Sequence, residues 1–222
     1  MMFLRHGPNS VAPPGLAEPP SFRERLFWAI FLSVFGMGLY VVTNRIVEWR
    51  SHSVPIRSIY FSWERFIPFV PLMVIPYWSI DFFYFFGPLV CRSRGLLKAH
   101  AKRMIVSFVV CCAIFLVFPL REAFDRPAVS GISGWFFAQL SVVDRPFNMA
   151  PSLHIIELVL LWLVYIPATS GWGRRIVQCW FVLIYLSTLL TFQHHVIDLI
   201  TGQILAMCCI YAFPSTPRSE MS

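Results

Sequence analysis

The stretch "STLLTFQHHVIDLITGQILAMCCIYAF" (Ser187–Phe213) decides how the chain is read. It closes one apolar run, Ile176–Phe192, and opens another, Val196–Phe213. Gln193, His194 and His195 stand between the runs, and Asp198 sits just inside the second. Each run is about as long as a bilayer core demands, roughly 17–25 residues. An aspartate placed deep in such a run costs about 2.5–3.5 kcal/mol on insertion scales, so ionisable groups there mark a function or a buried pair.

The same pattern extends outward. Leu26–Thr43 and Met104–Leu120 are apolar runs of spanning length. Phe66–Cys91 is longer and broken by Pro68, Pro71, Pro76 and Pro88. Its first part is expected to be extended or interfacial, with a helix over Leu72–Cys91. Ile155–Ala168 is short, and spans only if Pro151, Ser152, Leu153 and His154 form its first turn, with proline where a missing N–H costs little. The composition agrees: 57% of residues are hydrophobic and only 13% charged, against about 25% charged in soluble domains. The expected fold is an all-α polytopic membrane protein, about six transmembrane helices in a bundle.

Six spans put both ends of the chain on one side. Eleven of the 18 lysines and arginines then fall in segments 1–25, 92–103, 169–175 and 214–222, which predicts cytoplasmic termini. The net charge of +7 does not point to nucleic acid, because the basic residues sit at span ends, where they meet anionic headgroups. Residues 1–25 are expected to be a disordered cytoplasmic tail: five prolines fall within 1–22, and the segment lacks the short apolar core and cleavage site of a signal peptide. The first span and its loop occupy 26–58, and 214–222 is a short cytoplasmic tail. Five of the six cysteines fall inside spans, with Cys91 at the end of one. They read as small hydrophobes and not as a redox or metal motif.

With this topology the polar residues converge on the outer face. "FPLREAFDRP" (Phe118–Pro127) ends one span, "PSLH" (Pro151–His154) begins the next, and "QHHVID" joins the last two. Arg121, Arg126, His154, His194, His195 and Asp198 can therefore meet. His194 and Asp198 are four apart and share a helix face if the last span starts by Gln193. The carboxylate would then fix the imidazole tautomer and stabilise its cation. Gly202 continues that row and lets a neighbouring helix come close. His195 points about 100° away. A membrane-end histidine taken alone is ordinarily interfacial; the His–x3–Asp pair is the rarer signal. Glu157 could serve as a packing ion pair, and Asp81 has no evident partner in the sequence.

At these residues the chain resembles the phosphatidic acid phosphatase type 2 superfamily, whose motifs are Lys–x6–Arg–Pro, Pro–Ser–Gly–His and Ser–Arg–x5–His–x3–Asp. "PSLH" matches the second with Leu153 for glycine. "STLLTFQHHVID" keeps Ser187, His194 and Asp198 in register for the third, with Thr188 where arginine is expected. Arg126–Pro127 matches the end of the first, whose lysine position is Pro119. The "FNxxPSLH" form, with Asn148 ahead of it, resembles the branch containing inositol phosphorylceramide synthases and bacterial membrane domains sometimes fused to a dual-specificity phosphatase. The resemblance covers roughly 60–213, within a membrane domain set at 59–213.

The resemblance implies a lipid-phosphate phosphatase or phosphotransferase in the bacterial inner (cytoplasmic) membrane, acting at its outer face. It implies that His194 attacks phosphorus, Asp198 orients it, and His154 protonates the leaving oxygen. Arg126 and Ser152 would hold the phosphoryl oxygens, with Asn148 and Ser187 in support. It implies no metal or other cofactor. Two family cations are missing, and Arg121 or Arg145 could replace them, Arg121 being the nearer to a span end. Neutral imidazole is a competent nucleophile near pH 7, and a leaving alkoxide needs a proton. The expected partners are the bilayer and a lipid phosphate: phosphatidic acid, phosphatidylglycerol phosphate, a polyprenyl diphosphate or a phosphoinositol lipid. Trp135, Phe136 and Phe137 in the loop Ser130–Arg145 would touch acyl chains. Oligomeric state is not legible. Two other readings stand beside this one: a zinc site of His154, His194, His195 and Asp198, and a non-enzymatic transporter or scaffold.

Overall fold

Why the chain starts and stops its helices where it does is visible in the side chains at their ends. The computed structural model describes residues 18–215. Among them run α1 (Phe22–Ser51), α2 (Val74–Val90), α3 (Arg94–Val117), α4 (Gly131–Val143), α5 (Leu153–Ala168), α6 (Gly171–Leu190) and α7 (Val196–Ala212). One-turn 3₁₀ helices at Ser62–Phe66 and Pro71–Met73 precede α2. Serines cap the starts of α1, α3 and α5: Ser21 accepts from the Glu24 N–H, Ser93 from Leu96, and Ser152 from Ile155. Each such cap satisfies a donor the helix itself cannot, at about 0.5–2 kcal/mol.

The fold is an all-helical bundle of membrane type. α1, the segment Pro71–Val90 and α3 are long and apolar enough to cross a bilayer, and α4, α5 and α7 are shorter apolar helices. At its centre lies α5, whose 16 residues include the buried Ile155, Ile156, Leu160 and Leu161. It packs against α2, α3, α6 and α7. A helix surrounded on all sides by helices needs an apolar surface all round, which is what "LHIIELVLLWLVYI" supplies. Phe27, Val34, Met37 and Val42 on α1 are exposed, as expected of a helix turned to lipid.

At one end of the bundle three arginines close helix C-termini. Arg25 donates to Leu89 O (3.0 Å), Arg92 to Ala168 O (3.2 Å) and Arg103 to Phe213 O (2.9 Å). These carbonyls lie at the C-terminal ends of α2, α5 and α7, where unpaired oxygens and the helix dipole favour cations. The opposite end gathers the starts of α5 and α7 and the long connections 52–73 and 118–152. Isolated bridges Arg57–Leu120 and Leu120–Asn148 tie those connections together.

Several boundaries differ from expectation. α1 begins at Phe22, and Glu18 pairs with Arg94 (3.0 Å), so residues 18–25 are packed on the bundle and do not belong to a disordered tail. The rest of that segment, 1–17, and residues 216–222 of the C-terminal tail lie outside the described residues. α3 starts at Arg94, well before Met104, because Ser93 caps a stretch of good helix formers. The loop Ser130–Arg145 contains a helix, α4. Pro151 does not form the first turn of α5. It precedes the Ser152 cap, and the helix opens at Leu153.

Gly202 on α7 lies against the start of α5: a Cβ there would stand 2.8 Å from Ser152 O and 3.2 Å from Ile155 Cβ. Only glycine permits this approach, because the obstacle is backbone. Gly202→Ala is expected to cost about 1–3 kcal/mol through overpacking, read as a lower midpoint of thermal unfolding in detergent.

Candidate functional site

The starts of α5 and α7 are fastened to each other. Ser152 donates its N–H to Asp198 O (3.1 Å), while Asp198 Oδ2 accepts the N–H of His195, the N-cap of α7, at 2.7 Å. Two helix starts are thereby held side by side, each carrying a histidine. His154 is in the first turn of α5 and His194 is in the turn just before α7. Their ring centroids are 6.1 Å apart. Tyr77 of α2 sets the His154 ring, stacking on it at 3.9 Å and placing its carbonyl 3.3 Å from Nε2.

His194 Nδ1 lies 3.4 Å from Asp198 Oδ2. This is ion-pair range without a directed hydrogen bond, so His194 Nδ1 and Asp198 Oδ1 both lack a hydrogen-bond partner. The contact does not run along a helix face, as the spacing predicts. α7 starts at Val196, so the His194 imidazole reaches Asp198 across the helix cap. The turn that allows this is organised by Thr188, at the position where the family pattern has arginine. Its carbonyl accepts the N–H groups of Gln193 (3.1 Å) and His194 (3.0 Å).

His195 takes no part in the pair. Its Nδ1 meets Glu64 Oε2 at 3.0 Å, and its Nε2 accepts the Ala123 N–H at 3.1 Å. An Nε2 that accepts leaves the proton on Nδ1, which therefore donates to Glu64. Glu64 also accepts from Val196 N (3.2 Å) and Phe61 N (2.8 Å) and is 1% exposed. The cluster pins the 62–66 turn and the 118–130 connection to the start of α7. With both nitrogens committed, His195 is not available to the zinc site weighed from the sequence. Among the described residues no group of three or more His, Cys, Asp or Glu side chains could hold a metal ion.

His154 and His194 look into one chamber of about 400 Å³, walled by α1, α2, α3 and α5 and covered by Leu140, Val143 and Asp144 at the end of α4. Beside it lies a narrow cleft of about 20 Å³, lined by Glu122, Arg126, Asp144, Arg145, Gln193 and His194. That is room for a water, not for a phosphate. Asp144 and Asn148 also line both spaces. The Tyr40 hydroxyl donates to Asp144. Burial raises the Asp144 carboxyl above the ordinary carboxylate range, and that hydrogen bond works in the opposite direction.

The remaining sequence candidates divide. Arg126 reaches the cleft beside His194, paired with Glu122 at 2.7 Å and lying over the Phe137 ring. Asn148 donates to Asn44 (2.6 Å) and leaves its Oδ1 unpartnered. Arg121 is exposed and lines neither space, whereas Arg145 lines the cleft and pairs with Glu48 at 3.3 Å. Ser152 is fully buried, with its N–H on Asp198 and its hydroxyl on Ile155 N, so it braces the site and does not face a ligand. Ser187 is buried and donates to Ile184 O (2.6 Å), shaping the end of α6. Asp81 and Glu157, unassigned from sequence, line the chamber. Glu64, Tyr77 and Asp144 were not singled out. A lone carboxylate among aromatics in "FSWERF" was the available signal for Glu64.

Against known proteins the chain matches no family model and no curated sequence. The His195–Glu64 pair predicts a clean separation of stability from chemistry. His195→Ala strands a buried carboxylate, a change worth about 3–5 kcal/mol, and should lower the thermal midpoint sharply. His194→Ala, whose ring makes no directed hydrogen bond, should leave that midpoint nearly unchanged in the same assay.

Proposed function

We propose that the chain is a membrane-embedded lipid-phosphate phosphatase or phosphotransferase working through a phosphohistidine. The observation that carries this reading is the pair of imidazoles, 6.1 Å apart and facing one chamber, with a carboxylate behind one of them. The chamber has room for a phosphoryl group beside both rings, and Arg126 and Arg145 border the adjoining cleft, from which they would leave Glu122 and Glu48 and turn toward the chamber to hold it. Guanidinium binds phosphate oxygens in a bidentate fork.

His194 attacks phosphorus through Nε2, the nitrogen remote from Asp198. The P–N bond forms as the P–O bond to the lipid breaks. His154, which takes up a proton on Nδ1 once the phosphate anion lies beside it, gives that proton to the leaving oxygen while its Nε2–H stays on the Tyr77 carbonyl. Positive charge that develops on the His194 ring is met by Asp198, so a slack 3.4 Å contact tightens in the transition state. In the second half, water or a lipid hydroxyl attacks phosphorus and gives its proton to His154. The P–N bond breaks and its electron pair returns to His194. Water makes the protein a phosphatase; a hydroxyl acceptor makes it a head-group transferase.

Arginine is equally frequent at the two ends, but both lysines among the described residues, Lys98 and Lys102, lie on α3 near the end where α1 starts, which supports cytoplasmic termini with the histidines on the outer side of the membrane. Fusions test the orientation: a fluorescent protein at the C-terminus should be bright, and a reporter phosphatase active only outside the cytoplasm should be silent there.

For the chemistry, purified protein is assayed for phosphate released from phosphatidic acid in mixed micelles. His194→Ala is expected to abolish release while the protein stays folded. His154→Gln should lose about 10²–10⁴-fold, the usual contribution of general acid–base catalysis. Turnover unaltered in His194→Ala would end the mechanism.

A further inference from the structure

The chamber below the two histidines holds acceptors that the protein leaves unused. Ser33, Tyr40, Trp78 and Tyr84 line it and carry donors, and each is committed to a protein oxygen: Ala29 O, Asp144 Oδ1, Phe136 O and Leu32 O. Apart from the imidazoles, the Tyr77 hydroxyl is the one lining side-chain donor without a protein acceptor among the described residues. Asp81, which is exposed, and Glu157 line the same chamber, neither with a hydrogen bond or ion pair among those residues. Glu157 is 8% exposed, and Asn148, whose Oδ1 is also unpartnered, is 5% exposed.

No lysine or arginine lines this chamber; the guanidiniums are in the cleft above it. Its other walls are Met37, Leu140, Val143 and Leu153 together with the rings of Tyr77, Trp78, Tyr84, Phe108 and Phe115, and ring faces attract cations. Glu157 is buried, and a buried carboxylate with a second one lining the same space requires a counter-charge or a proton. A polyol would bring donors without charge. A group that brings both is an ammonium.

We propose that the chamber binds an ammonium group, seated by Asp81 and Glu157, on a ligand whose phosphate lies at His194. The inference rests on the phosphate reading of that site and names its substrate class: an amine-bearing phospholipid or an amine-bearing acceptor. Such a ligand is oriented by opposite charges at its two ends. Guanidinium and imidazole hold the anion, and carboxylate holds the cation.

The test is a binding assay, independent of turnover. The full chain in dodecyl maltoside is titrated with dihexanoyl phosphatidylethanolamine, dihexanoyl phosphatidylglycerol and dihexanoyl phosphatidic acid, following tryptophan emission, to which Trp78 in the chamber wall contributes. The ethanolamine lipid is expected to bind at least tenfold tighter than the glycerol lipid. The double variant Asp81→Asn, Glu157→Gln should level the two while keeping the phosphatidic acid affinity, which also reports an intact fold. If that variant does not bind phosphatidic acid, each single substitution reads the same ratio. His194→Ala should weaken all three lipids and leave their ratio alone; unchanged lipid affinity there counts against the phosphate reading, not against the chamber. Dodecylammonium, which has no phosphate, tests the chamber alone and should lose binding in the double variant. Equal affinity for the two lipids, preference for glycerol, or an ethanolamine preference that survives Asp81→Asn, Glu157→Gln would overturn the proposal.

Discussion

The arrangement at the polar end depends on one hydrogen bond, from the Ser152 N–H to the Asp198 carbonyl. It joins two helix starts that belong to different membrane segments, and Gly202 lets the backbones come near enough to make it. Helices in a bilayer gain little from hydrophobic association, because lipid is as apolar as leucine. Close backbone contact through small residues and interhelical hydrogen bonds do the work. The lock also spares Asp198 from being only a buried charge. Its backbone carbonyl holds α5, and Oδ2 of its carboxylate both caps α7 and lies nearest His194, while Oδ1 has no hydrogen bond. One residue therefore builds the scaffold and faces the site together.

His194 and His195 are neighbours in sequence with opposite roles, and the backbone turn explains why. Phe192 adopts a left-handed conformation (φ 53°), unusual for a residue with a side chain, and its ring packs on Phe69 and Phe124. The chain then reverses so that consecutive side chains leave in different directions. His195 enters a closed set of hydrogen bonds with Glu64 and Ala123, which satisfies both ring nitrogens. His194 is left beside a carboxylate without a directed bond. A buried polar group that is not fully satisfied costs free energy, and this one sits at the mouth of a cavity where a ligand could satisfy it. Satisfied and unsatisfied histidines one residue apart separate the brace from the reactive group.

Much of this was legible in the sequence because it depends on local pattern. The apolar runs located six of the seven helices in order, α4 lying in the stretch read as a loop, and Gly202 was readable as a point of close approach because glycine in a membrane helix has few other uses. Ser152 was read inside the first turn and as a phosphate ligand, whereas it is the buried N-cap of a helix that opens one residue later. The helix register around His194 was misread because the start of α7 is decided by the His195–Asp198 cap, and a His–x3–Asp spacing looks the same inside a helix or across its first turn. Glu64 and Tyr77 were not legible at all. Their roles arise from contacts across more than seventy residues, which no local pattern encodes.

The same limit explains Asp81 and Glu157. Each looked like an isolated acidic residue in an apolar run, and sequence offered a packing ion pair as the bland account of Glu157. The structure gives neither a cation, although arginines are plentiful at both ends of the bundle. Those at one end are engaged with helix-terminal carbonyls, and Arg126 and Arg145 are paired in the cleft with Glu122 and Glu48. Basic groups are thus kept out of the chamber while carboxylates line it. A membrane protein that only needed to fill this space could do so with leucine at lower cost, since burying unpaired acids is expensive. Two guanidiniums that border the cleft and two carboxylates that line the chamber beside it are the arrangement that would orient a zwitterionic ligand.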